Sequence, residues 1–108
     1  MYAQDYDDYV FPEPWWDLRG HDTQATRQRE AMAREFATEL GPRHPLSASN
    51  IEPIAMFTRQ DEVLFRIDGK FLIAHLTWAG RPDPFLRLRP LPDWTATVAE
   101  IQDMSENW

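Results

Sequence analysis

The chain contains no cysteine, which excludes disulfides, thiolate-ligated zinc and a cysteine nucleophile. Glycine is scarce, with four in 108 residues and no two close together, so no glycine-rich loop can cradle a phosphate. Long apolar runs are missing too. Stretches such as Phe71-Leu72-Ile73-Ala74 go no further, well short of the roughly 20 residues a membrane-crossing helix needs. No base precedes Arg19, and Asp5, Asp7 and Asp8 stand where a secretory signal would be positive. A soluble, cytoplasmic protein without a membrane partner is expected.

The length suits one domain with a modest core that needs no metal. Net charge is −7, unevenly placed. Residues 1–22 hold six acids against Arg19 alone, residues 93–108 hold four acids and no base, and residues 23–92 hold ten bases against eight acids. Phosphate binding needs a basic face, so this distribution argues against free nucleic acid. It favours a basic protein partner through long-range steering, although the same charge also serves solubility.

Residues 1–22 read MYAQDYDDYVFPEPWWDLRGHD. Pro12 and Pro14 forbid a regular element across most of this stretch. Yet Tyr2, Tyr6, Tyr9, Phe11, Trp15 and Trp16 are more aromatics than a disordered tail carries. Residues 1–22 are therefore expected to be an acidic aromatic arm packed on the domain, with at least one tryptophan buried. Residues 23–108 are expected to be a single α+β domain.

A helix is predicted over 23–40. Asp22 or Thr23 supplies the N-cap, Ala25, Met32, Ala33, Phe36, Ala37 and Leu40 form the apolar stripe, and Gly41-Pro42 stops it. Pro53 marks residues 51–59 as an edge strand or a strand start. Asp68-Gly69 is a strong hairpin turn. It sets a register in which Ile67 faces Lys70, Phe65 faces Leu72, Val63 faces Ala74 and Glu62 faces His75. One face then carries Val63, Phe65, Ile67, Leu72, Ala74, Leu76 and Trp78, with helix 23–40 as its cover. The other carries Leu64, Phe71 and Ile73 beside Arg66, Glu62, His75 and Thr77. A short strand is expected at 85–89, ended by Pro90 and Pro92. Asp93 caps a last helix whose face is Trp94, Val98 and Ile101. The fold expected is α+β: arm and helix packed on a three- to four-stranded antiparallel sheet, with a short C-terminal helix.

Three segments, ELGPRHPL, DEVLFRIDGKF and HLTWAGRPDP, carry a resemblance over roughly residues 39–84. The chain resembles small bacterial proteins in which an apolar strand ends in His-Leu-Thr-Trp before a Gly-x-Pro turn. The resemblance implies a helix packed on an antiparallel sheet and carries over no catalytic residue.

Catalytic signatures are absent. His21, His44 and His75 are isolated, and there is no HExxH, EF-hand loop or GxSxG elbow. No metal site and no cofactor are expected. Ser47 and Ser49 read as turn or cap residues, and the arm aspartates as a solvated face rather than paired catalytic acids.

Two candidate sites remain. Tyr2, Tyr6, Asp7, Asp8, Tyr9, Trp15 and Trp16 combine binding-hot-spot aromatics with acids that complement a basic patch. The same aromatics could instead pack on the chain's own sheet. Glu62, His75, Thr77 and Arg81 form a polar corner, either structural or an acid/base site with Trp78 and Phe71 as walls. Three readings follow. The first is a non-catalytic protein-binding module, in its sharpest form a bacterial immunity or antitoxin-type inhibitor of a basic protein. The second is a small enzyme or ligand binder at the polar corner. The third is a homo-oligomer whose arm closes a neighbour's sheet edge.

Overall fold

The structure is a computed structural model, and it describes residues 6–107. Tyr2 lies outside the described residues. Helix α1 (Thr23–Leu40) starts where the Asp22 side chain accepts the Ala25 amide at 2.7 Å. It ends at Gly41, whose φ of 88° is open to glycine but costly for other residues. Strands β1 (Trp15–Asp17), β2 (Ile51–Phe57), β3 (Glu62–Ile67), β4 (Lys70–His75) and β5 (Leu88–Leu91) form one antiparallel sheet in the order β1-β2-β3-β4-β5. Helix α2 (Trp94–Asn107) follows, with the Asp93 carboxylate accepting the Ala96 amide at 2.7 Å. Among the described residues no helix is long and apolar enough to cross a membrane.

The class is α+β as expected, and the β3–β4 register matches the one drawn from Asp68-Gly69. Both turn residues have positive φ, 51° and 82°, as a two-residue hairpin with native twist requires. Alternation along β3 and β4 sends Val63, Phe65, Ile67, Leu72, Ala74 and Leu76 to one face. There they meet Met32 and Phe36 of α1, and the Phe36 and Phe65 rings stack at 4.3 Å.

The sheet has five strands rather than three or four. The extra one, β1, comes from the arm and pairs Trp15–Asp17 with Ala55–Phe57. Strand β2 lies between β1 and β3, but β1 pairs only with Ala55–Phe57, so Pro53 stands where β2 has no β1 partner. It sits beside a bulge, where Pro53 pairs with Phe65 but Ala55 with Leu64. A bulge tolerates a residue with no amide to donate. The last strand is displaced from 85–89 to 88–91 and includes Pro90. Asp83 delays it: its carboxylate accepts the Phe85 amide at 2.9 Å and its carbonyl the Leu86 amide at 3.2 Å, so the chain is still turning at Phe85. Pro90 is accommodated because β5 is an edge.

The second face is buried as well. Ile54, Ala55, Phe57, Leu64 and Ile73 pack against Val98 and Ile101 of α2 and against Tyr9 and Trp15 of the arm. Helix α1 thus covers one face, and α2 with the arm covers the other.

Candidate functional site

The arm is docked through its backbone as much as its rings. The guanidinium of Arg19 donates to the carbonyls of Tyr6 and Tyr9, and pairs with Asp17 at 2.8 Å. Burial works against the Asp17 carboxylate, but the hydrogen bonds and charge of Arg19 outweigh it and hold the carboxyl below its ordinary value. Two cations lie over the Tyr6 ring, Arg66 at 4.5 Å and Arg19 at 5.1 Å from its centroid. Burial, followed by the nearby Glu52 charge, raises the Tyr6 hydroxyl pKa. Tyr9 is buried, edge-on to Trp94 at 5.4 Å and to Phe11 at 5.0 Å. Trp15 is buried too, and its Nε1 donates to the Ile101 carbonyl at 3.2 Å. Ser105 of α2 donates to the Glu13 carbonyl.

Of the arm residues singled out in the sequence, Tyr6, Tyr9 and Trp15 therefore face the protein's own core. Asp7, Asp8 and Trp16 face outward, with Trp16 46% exposed. Alternation along β1 separates the adjacent tryptophans, since Trp15 packs with α2 while Trp16 stands opposite Met56, which packs toward α1.

This docking brings both acidic ends of the chain to one side of the sheet. Of the bases reaching that side, Arg19 is held by Asp17, Arg66 by Glu52 at 2.9 Å, and Arg89 by Glu62 at 3.5 Å and Glu100 at 3.2 Å, while Arg87 lines a groove beside Glu100 and Asp103 without an ion pair among the described residues. Asp7, Asp8, Glu13, Asp103 and Glu106 are exposed and make no ion pair among the described residues. Between arm and α2 runs a groove of about 400 Å³ in which Glu106 meets Val10, itself 77% exposed.

The polar corner is brought together in part. Glu62 and His75 are cross-strand partners, and with Thr77 they line an open groove of about 440 Å³. Arg81 is not in its wall; Asp83, Phe85 and Arg87 are. Glu62 bonds to Arg89 instead of His75. Neither expected apolar wall lines the groove, because Phe71 packs on Tyr6 and Trp94. Trp78 leaves the core face on which alternation placed it.

The cause is a residue that the sequence reading passed over. Glu39 falls three positions after Phe36 and seven after Met32, on the buried stripe of α1, and is fully buried. Its carboxylate accepts the Thr77 amide at 2.9 Å, the Thr77 hydroxyl at 3.1 Å and the Trp78 amide at 3.0 Å. These bonds pull the chain off the sheet after Leu76, leaving Trp78 with φ 60° and 45% exposed. A glutamate at an apolar-stripe position was the available signal. Glu35, one turn earlier, accepts the Gly80 amide at 3.0 Å, and Asp83 donates its amide to the Glu39 carbonyl at 2.8 Å.

The Glu35 carboxyl is pushed above its ordinary value, first by its hydrogen bond with the Glu39 carboxylate and then by burial. The fold favours the protonated form, so this contribution is complete below the unfolded value and is lost as pH rises through the raised one. Melting curves from about pH 4 to pH 8 should show stability falling on the alkaline side of the glutamate range, with Glu35→Gln removing that slope. An unchanged slope in the variant would show that the Glu35 carboxyl does not cause it.

Among the described residues no cluster of His, Asp or Glu could hold a metal ion. No family model matches the chain, and no curated protein or solved structure matches it.

Proposed function

We propose that the protein is a non-catalytic binding module whose arm–α2 face docks a basic partner protein, in the sharpest form as a bacterial immunity or antitoxin-type inhibitor. The observation that carries this reading is the convergence of both acidic ends on one side of the sheet, with Asp7, Asp8, Glu13, Asp103 and Glu106 unpaired there. Charge of one sign gathered on one face speeds and orients encounter with a complementary surface. The exposed Val10 adds apolar contact inside the acidic rim. The arm's buried aromatics support the site indirectly, by fixing the acids in place.

The homo-oligomer alternative rests on β5, which is an edge of the sheet, and on the part of β2 near Pro53 that β1 does not pair with. The ligand-binding alternative rests on the groove at Glu62, His75 and Thr77.

The test is comparative capture. Wild-type protein and the fourfold reversal Asp7→Lys, Asp8→Lys, Asp103→Lys, Glu106→Lys are used as baits under identical low-salt conditions. A basic protein retained by the wild type and lost from the reversed bait, at equal thermal stability of the two, is the expected outcome. Equal retention by both baits would contradict the proposal.

A further inference from the structure

The loop from Thr77 to Arg87 is held at four backbone points. The amides of Thr77 and Trp78 donate to the Glu39 carboxylate, that of Gly80 to Glu35, and that of Asp83 to the Glu39 carbonyl. A fully buried carboxylate is an expensive way to hold a loop. The result is a tryptophan in a left-handed conformation that side chains of its shape rarely adopt. Trp78 is 45% exposed and Phe85 is 85% exposed, two of the most exposed large apolar side chains of the described residues. A loop immobilised beforehand loses little entropy when something binds to it, and rigid exposed aromatics are the usual anchors of protein recognition.

Exposed basic side chains lie near these rings, although Phe85 shares its groove with Glu62. Arg81 lies on the loop, and Arg43 stands two residues after Gly41, beside which Pro82 packs; Arg87, at the loop's end, belongs instead to the groove it shares with Glu100 and Asp103 of α2. Arg43 and Arg81 are exposed and make no hydrogen bond or ion pair among the described residues. The loop's single acid, Asp83, is occupied with the Phe85 amide. Free guanidinium groups beside exposed aromatics match carboxylates carried next to apolar side chains.

We infer that Trp78, Phe85, Arg43 and Arg81 form a second interaction surface, which takes an acidic, apolar-bearing segment of another protein. The molecule then has two docking surfaces of opposite charge, and its net charge of −7 hides the basic one. A second copy of this chain is a poorer occupant. Attaching the acidic face of one copy to this loop of the next is a head-to-tail contact rather than the self-complementary contact of the common twofold dimer.

The probe is a fluorescein-labelled peptide of about 12 residues alternating Glu or Asp with Leu and Pro, beside a matched peptide with Lys in place of the acids. Each is titrated into the full chain by anisotropy and by amide NMR, at low salt and at about 0.3 M salt, where screening is stronger. The acidic peptide should shift the amides of residues 77–87, bind more weakly at high salt, and lose at least tenfold in affinity in both Arg81→Glu and Trp78→Asn. Asparagine tolerates the left-handed backbone, so Trp78→Asn tests the ring without disturbing the loop. The inference is overturned by absence of shifts at millimolar peptide, by equal response to the lysine peptide, or by indifference to either variant. Concentration-dependent self-association abolished by Trp78→Asn would also overturn it, by assigning the surface to a second copy.

Discussion

Replacing Glu39 by alanine should cost the fold about 3 kcal/mol, as two or three stranded donors at roughly 1–3 kcal/mol each, partly offset because no charge is then buried. The Thr77 and Trp78 amides and the Thr77 hydroxyl would all lose their acceptor. For a domain of this size that corresponds to a fall in melting temperature of roughly 10–20 °C. The damage should be local first. Amide exchange at Thr77, Trp78 and Gly80 should accelerate before that of the β3–β4 hairpin, whose ladder does not depend on Glu39. Glu39→Gln, which keeps one acceptor oxygen, should fall between alanine and the wild type. A Glu39→Ala protein that melts with the wild type would show that the loop has other anchors.

Trp15→Ala is expected to be at least as damaging, at about 3–5 kcal/mol, the usual range for deleting a large buried aromatic. Trp15 is 6% exposed, its ring is 5.2 Å from that of Phe57, and its Nε1 reaches α2 at the Ile101 carbonyl. The variant loses a core side chain and the bond that ties arm to helix together. Trp16→Ala, one residue along and half exposed, should cost under about 1 kcal/mol, in line with surface substitutions. Urea unfolding of the two variants side by side measures the difference. Equal, small effects would mean that the arm is not part of the cooperative unit.

That contrast between neighbours was not legible in the sequence, and the reason is physical. Where local signals decide structure, reading them worked. The Asp22 cap, the Met32–Phe36 stripe and the Gly41 stop bounded α1, and Asp68-Gly69 placed every β3–β4 pair. Where tertiary pairing decides, they failed. Strand β1 has three residues after two prolines and no periodicity of its own, so only its partner β2 makes it a strand. Trp78 has strand-like neighbours, and a buried carboxylate in a distant helix overrides the alternation. The polar corner was half legible. Register put Glu62 opposite His75, while loop geometry, set by Asp83 and Glu39, replaced Arg81 with Arg87 in the groove wall. The acidity of both chain ends was plain from composition, but their convergence on one face needed the arm's docking, which sequence could only leave open.

That convergence is the central claim, and one titration tests it most directly. A fluorescein-labelled peptide of about 20 residues rich in Lys and Arg is titrated into the wild type and into the fourfold charge-reversed protein, at low salt and at about 0.3 M, where screening is stronger. The expected result is binding to the wild type that weakens with salt and disappears in the reversed protein, with amide shifts confined to the arm and the outer side of α2. Shifts scattered over both faces of the sheet, or binding that survives the reversal, would contradict it.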